Sequence, residues 1–178
     1  SEREKVEEVV REAKERLDES VKRVEEVSRE NKKEIDRLLE EVKKVIEEAK
    51  RRLEELRRRG LVDEKVVREV EEELKRLLEE IRKVVEENKE ESDRSLKEVE
   101  DISRESKERV DRILKRVDDG SDVDEVLKEL RRILRDNERM VKEVIERNRK
   151  SVEDLERIAR RIIEEIERLL KELTDRAR

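Results

Sequence analysis

The stretch of sequence that decides the fold runs from Asn88 to Ser106 and reads NKEESDRSLKEVEDISRES. Its Ser and Asn residues occupy helical positions that hold aliphatic residues on either side, as at Val70 and Val110. Residues 18 apart lie on the same face of an α-helix, because 18 residues make five turns of 3.6 residues. The stretch is therefore predicted to be the middle of a buried apolar stripe in which small polar residues replace aliphatic ones.

An 18-residue repeat runs through three long segments of the chain. In the second segment, Val66, Val84 and Ile102 share one position, and six further positions repeat in the same way. At 100° per residue these positions cover an arc of about 120°, which suits a helix that contacts two neighbours. A period of 3.6 residues, unlike a heptad repeat, imposes no left-handed supercoil. We therefore expect an all-α, antiparallel three-helix bundle of long, nearly straight helices.

Short loops divide the three segments. Gly60 and Gly120 can adopt the left-handed conformation that ends helices, and Leu61 would then fold back onto Leu56 as in a Schellman ending. Loops this short make neighbouring helices antiparallel. The sequence therefore predicts a single domain over residues 1–178, with helices at about 2–59, 64–119 and 122–176.

The residues that begin each segment have side chains suited to helix caps. Ser1 and Glu4 match the capping-box pattern. Asp63 precedes the second segment, and either Ser121 or Asp122 can cap the third, because a short polar side chain accepts a hydrogen bond from a backbone N–H in the first turn. The predicted caps are Ser1, Gly60, Asp63, Gly120 and Asp122.

Outside the caps, every Ser and Asn falls on an apolar stripe, and folding the chain at its glycines places these residues at two heights. A helix shifted by 18 residues would bury them against Val and Leu, at a cost of about 1–3 kcal/mol for each unpaired group. In the correct register the polar groups can satisfy one another, so we expect them to specify that register. The first predicted layer is Ser28, Asn31, Asn88, Ser92, Ser95, Asn148 and Ser151, and the second is Ser20, Ser103, Ser106 and Asn137.

The composition argues against chemistry at these residues. The chain has no His and no Cys, and 60% of its residues are charged. A nucleophilic Ser needs an adjacent base, yet no Lys, Asp or Glu lies on the stripes beside the serines. A di-metal bundle needs Glu and His side chains that point inward, whereas every Glu here lies outside the stripes. We expect no enzyme activity, no cofactor and no metal ion.

The charge pattern indicates no obligatory partner. The 50 basic and 56 acidic residues are finely mixed, and the run Arg57–Arg59 suits the negative end of a helix dipole better than it suits nucleic acid. No apolar run approaches the roughly 20 residues that cross a bilayer. We expect a soluble protein that binds neither nucleic acid nor membrane. No targeting signal assigns a location, and recombinant expression in the cytoplasm is the expectation.

These features resemble de novo designed, parametrically built helical bundles with buried hydrogen-bond networks. The resemblance covers the whole chain. It rests on the 18-residue repeat, on the loops Arg59–Asp63 and Gly120–Asp122, and on the confinement of Ser and Asn to the stripes. It implies a monomeric helical scaffold of the coiled-coil type with no natural biochemical function. The alternative is a designed interaction module: a self-associating bundle, or the cage of a protein switch that exchanges a helix with a partner.

Overall fold

The computed structural model describes residues 1–177 and contains three long helices: α1 spans Glu2–Arg58, α2 Glu64–Asp118 and α3 Val123–Arg176. Each boundary lies within one residue of the boundary predicted from the sequence. The chain has no Pro, and both glycines lie in the loops, so no helix-breaking residue interrupts the backbone hydrogen bonds within the helices. The predicted all-α class and the three helices are confirmed.

Both loops contain a glycine in the left-handed conformation. Gly60 has a φ of 69°, and its N–H donates to the Arg57 carbonyl at 3.0 Å. The Leu61 N–H donates to the Leu56 carbonyl at 3.0 Å, which completes a Schellman ending. The backbone of Leu61 thus folds back as predicted, although its side chain is 38% exposed. Gly120, with a φ of 93°, ends α2 in the same way.

The first turn of each helix is capped by the residue that the sequence indicates. Ser1 Oγ accepts a hydrogen bond from the Glu4 N–H at 3.3 Å, and the Ser1 amino group donates to the Glu4 carboxylate at 3.5 Å. The Asp63 carboxylate accepts from a first-turn N–H of α2 at 2.9 Å. Asp122, rather than Ser121, has the corresponding bond to α3, at 3.2 Å. These bonds satisfy backbone donors that no helical carbonyl can reach.

The chain forms two compact units, and each contains segments of all three helices. The first unit comprises Ser1–Asn31 and Glu91–Arg149, and the second comprises Lys32–Glu90 and the chain from Lys150 onward. Within each unit α2 runs antiparallel to α1 and α3, because residue numbers that rise along α2 fall along the helices it contacts. Each unit is therefore an antiparallel three-helix arrangement. A single domain over residues 1–178 and a straight course of the helices stay predictions.

The two units differ in the continuity of their apolar cores. The second unit has one cluster, which extends from Ile35 to Leu53 on α1 and includes Leu74 and Ile81 on α2 and Ile162 on α3. The first unit has two clusters, of which the smaller has only valines as its buried members: Val24, Val99, Val141 and Val144. Burying one such aliphatic side chain contributes about 1.5–3 kcal/mol. The residues that interrupt the core of the first unit are serines and asparagines.

Candidate functional site

A direct hydrogen bond between two serines links α1 and α2 inside the first unit. The Oγ atoms of Ser28 and Ser92 are 2.6 Å apart, and the two residues are only 5% and 3% exposed. Either hydroxyl can be the donor. Because both side chains are excluded from water, each hydroxyl depends on the other for a side-chain partner. The pair therefore favours the alignment of α1 and α2 in which residues 28 and 92 meet.

A second buried pair links α2 and α3. Ser95 Oγ donates to Asn148 Oδ1 at 3.0 Å, and the two residues are 2% and 5% exposed. Ser95 follows Ser92 by nearly one turn of α2, so one short segment of this helix presents polar groups to both neighbours. The α2 helix is in this way aligned with α1 and with α3 at about the same height.

The remaining pair of helices, α1 and α3, is linked by Ser20 and Asn137. Asn137 Nδ2 donates to Ser20 Oγ at 3.3 Å, and Ser20 Oγ donates to the Arg16 carbonyl of its own helix at 3.1 Å. Nearby, Ser103 Oγ of α2 donates to the Leu17 carbonyl of α1 at 3.3 Å. These bonds separate the larger apolar cluster of the first unit from its valine cluster.

The expectation that the polar groups satisfy one another is wrong at two asparagines. Asn88 Nδ2 donates to the Val84 carbonyl of its own helix at 3.0 Å, and its Oδ1 has no hydrogen-bond partner within residues 1–177. Asn137 Oδ1 is likewise buried and unpartnered. An amide has two donor hydrogens and one acceptor oxygen, so a single neighbouring hydroxyl does not satisfy it. Asn88 and Ser20 both use the carbonyl four residues earlier, which is a known preference of short polar side chains in helices.

The structure divides the first predicted layer between the two units. Ser28, Asn31, Ser92, Ser95 and Asn148 belong to the first unit. Asn88 and Ser151 belong to the second, and both are half-buried, as is Asn31. The gathering of all seven residues into one layer therefore stays a prediction.

All four members of the second predicted layer belong to the first unit. Ser103, Ser106 and Asn137 are buried, whereas Ser20 is half-buried. Ser106 differs from its neighbours because its hydroxyl has no hydrogen bond among the described residues, at an exposure of 7%. Hydrogen bonds between Ser and Asn side chains of different helices are confirmed at three pairs: Ser28–Ser92, Ser95–Asn148 and Ser20–Asn137.

Ion pairs on the outer faces also join α1 to α2 and α2 to α3, and the residues of each pair belong to the same unit. Arg3 of α1 contacts Asp118 of α2 at 2.5 Å, and their hydrogen bond lowers the pKa of Asp118 below its usual value. Arg147 of α3 contacts Glu98 of α2 at 2.8 Å. All four side chains are largely exposed, so each pair contributes little stability. Further pairs between helices are Lys14–Asp111, Lys107–Asp18, Lys89–Asp36, Arg116–Glu129 and Arg161–Glu80.

The hydrogen-bond partners of the buried hydroxyls link neighbouring helices and do not include a base that could activate a serine. These partners are another hydroxyl, an asparagine amide or a backbone carbonyl. Among residues 1–177, no three His, Cys, Asp or Glu side chains form a group that could hold a metal ion. Within the same residues, no helix has the length and apolar character needed to span a membrane.

Comparison with models of known protein families and with curated proteins finds no match to this chain.

Proposed function

We propose that this chain is a designed structural scaffold without a natural biochemical function, in which buried Ser and Asn residues specify the register of the helices. The observation that carries the proposal is the set of three bonds Ser28–Ser92, Ser95–Asn148 and Ser20–Asn137. Together these bonds join each helix to both of its neighbours, and they lie on stripes that are otherwise apolar. The lack of a matching family and the resemblance to designed bundles also support it.

The 18-residue repeat explains why such a device is needed. Moving α1 along α2 by 18 residues would place Ser28 against Leu74 or Val110, which occupy the position of Ser92 in neighbouring repeats. The apolar surface buried would be similar, so apolar burial alone distinguishes the two alignments poorly. The shifted alignment would leave two hydroxyls without partners, at a cost of about 1–3 kcal/mol each. The polar pairs thereby make the shifted alignment unfavourable while adding little net stability to the correct one.

The test restores the apolar repeat at all three polar pairs. Each of the six residues is replaced by the residue found 18 positions away: Ser28→Ile, Ser92→Leu, Ser95→Leu, Asn148→Ile, Ser20→Leu and Asn137→Leu. We expect the free energy of unfolding to be unchanged or higher, because no polar group loses its partner. We also expect several species, because shifted and exchanged pairings no longer bury unpaired polar groups. Light scattering and native mass spectrometry count the species, and a 15N–1H correlation spectrum shows whether one or several sets of backbone signals are present.

A matched control changes the equivalent positions of the second unit without touching a polar pair. Its substitutions are Leu38→Ile, Ile46→Val, Leu74→Ile, Leu77→Ile, Leu155→Ile and Ile166→Leu, each of which keeps an aliphatic side chain at its site. The control should remain a single species with one set of signals. If the variant with the restored repeat is also a single monomeric species with one set of signals, the three polar pairs do not specify the register of the helices.

The alternative function is an interaction module, either a self-associating bundle or a cage that exchanges a helix. Such a module would present an apolar face to its partner, whereas the large hydrophobic side chain that is exposed within residues 1–177 is Leu61. Light scattering on the unaltered chain separates the two functions. A monomer at tens of micromolar supports the scaffold, and a discrete oligomer supports the interaction module.

A further inference from the structure

A solvent-exposed groove between α1 and α3 of the first unit has the features of an anion site. Its cavity of about 260 Å³ is lined by Arg16, Ser20 and Arg23 of α1 and by Asn137 of α3, among others. An adjoining cavity of about 420 Å³ shares Arg16 with it and continues the groove along α3. We propose that this groove binds a small oxyanion that carries its own O–H group, for which hydrogen phosphate is the probe.

The charges around the groove are opposite in sign to those of the whole chain. Six cationic side chains line the two cavities, whereas Glu19 and Glu138 are the carboxylates in their lining. The excess of four positive charges lies in the larger cavity, because two arginines and two glutamates balance in the smaller one, and the whole chain has a net charge of −6. Guanidinium groups present paired N–H donors that match the oxygens of phosphate and carboxylate. The cations are Arg16, Arg23, Lys128, Arg131, Arg132 and Arg135.

The arginines of the groove are available to a ligand. Within residues 1–177, none of the five arginines that line the two cavities has an ion-pair partner. By contrast, Arg11 and Arg37 each contact two glutamates. Their side chains are exposed and can move towards a bound anion. An anion in the groove would therefore gain guanidinium contacts without breaking an existing ion pair.

Asn137, one of the residues that line the groove, has a hydrogen-bond acceptor that lacks a donor. Asn137 is 4% exposed, and its Oδ1 has no partner among the described residues. Asn137 Nδ2 donates to Ser20 Oγ, and Ser20 Oγ donates to the Arg16 carbonyl, so neither bond of this pair supplies a donor to Oδ1. A buried acceptor without a donor is unfavourable, and an O–H group of a ligand would satisfy it. Hydrogen phosphate offers acceptor oxygens to the arginines and an O–H to Asn137, whereas sulfate at neutral pH has no O–H.

The side-chain amides of the chain provide a selective readout. The sequence has four Asn residues and no Gln, so a 15N–1H correlation spectrum contains four side-chain NH₂ pairs, from Asn31, Asn88, Asn137 and Asn148. We expect phosphate, added to the full-length chain at constant ionic strength, to shift the Asn137 pair saturably with a Kd of about 1–10 mM. Sulfate should bind at least about fivefold more weakly, because it cannot donate to Oδ1. Equal shifts of all four pairs, equal affinity for sulfate, or no saturable shift would overturn the proposal.

Two variants and one control locate the site. Arg16→Gln combined with Arg131→Gln should weaken phosphate binding about tenfold or more, since it removes two guanidinium groups that line the groove. Arg94→Gln removes an exposed arginine of α2 that has no ion pair in the described chain and lies outside both cavities, and it should leave the Kd unchanged. Asn137→Ala, followed through the Ser20 backbone amide, should abolish the preference for phosphate over sulfate. Equal weakening by the Arg94 control, or a preference that survives Asn137→Ala, would contradict the assignment.

Discussion

The contact between Ser28 and Ser92 allows a quantitative test of how much a buried polar pair contributes. In Ser28→Ala the Ser92 hydroxyl keeps its burial but loses its partner at 2.6 Å, and Ser92→Ala does the same to Ser28. The double substitution removes both hydroxyls together. Replacing serine by alanine changes little volume, so the hydrogen bond dominates the difference between the variants.

The structure sets the expected magnitudes. A buried hydroxyl without a partner costs about 1–3 kcal/mol, and rotation towards the carbonyl four residues earlier, as seen for Ser20, recovers part of this. We therefore expect each single variant to be destabilised by about 1–2 kcal/mol. The double variant leaves no buried hydroxyl without a partner, so its free energy of unfolding should differ from that of the unaltered protein by less than about 0.5 kcal/mol. The resulting coupling energy between the two sites has a magnitude of at least about 1 kcal/mol.

Guanidinium denaturation followed by circular dichroism measures these differences. With a slope of about 5 kcal/mol per molar, a single substitution should lower the midpoint by about 0.2–0.4 M. Ser106→Ala is the matched control, because Ser106 is buried on the same helix but has no hydroxyl hydrogen bond among the described residues. It should change stability by less than about 0.5 kcal/mol, since it strands no partner. A double variant that loses the sum of the two single losses would refute the coupling, and a control that loses as much as they do would refute the assigned role of the hydrogen bond.

Three further outcomes follow from the described contacts. Asn88→Leu should leave stability unchanged or raise it by about 1–2 kcal/mol, as measured by the guanidinium midpoint, because it removes an unpartnered buried oxygen and adds apolar burial. Gly60→Ala should lower stability by about 1 kcal/mol in the same assay, because φ there is +69° although nothing lies within 4 Å of the added Cβ. The pKa of Asp118 is lowered by Arg3, so this pair stabilises the fold above the unfolded pKa of about 4 and the contribution is lost as the pH falls through the folded value. Urea midpoints of the unaltered chain and of Asp118→Asn should therefore converge on acidification, and a constant difference would contradict the assignment.

The helix boundaries, the caps and the buried stripes could be predicted because they depend on local rules. Gly60 and Gly120 adopt positive φ because they lack a Cβ, and Asp63 accepts a first-turn N–H because its side chain has the right length. The stripes follow from the period of 3.6 residues alone. Even the opposition of residues 28 and 92 follows from counting outward from the loop, since the antiparallel pairing fixes the sum of the two numbers.

The individual hydrogen bonds could not be predicted, because they depend on rotamers and on distances of a few tenths of an ångström. Asn88 belongs to a predicted layer whose members can satisfy one another, yet its Nδ2 donates to the Val84 carbonyl of its own helix. Ser103 contacts a backbone carbonyl of α1 instead of another side chain. Helical position places a polar side chain in the core but does not choose between a neighbouring side chain and a nearby carbonyl. Nor does it reveal that Asn137 Oδ1 is left without a donor, on which the proposed anion site depends.

Under the proposed function, a difference between the two units accounts for how a few polar pairs could align helices of more than fifty residues. The pairs Ser28–Ser92, Ser95–Asn148 and Ser20–Asn137 all lie in the first unit, whose apolar core they interrupt. The second unit has a continuous aliphatic cluster, which supplies burial but tolerates a shift by one repeat. Each helix passes without a break through both units, so a shift that preserved the aliphatic contacts of the second would also displace every polar pair of the first. Under the proposed function, the alignment favoured by the three buried hydrogen bonds would thereby also be selected in the aliphatic core.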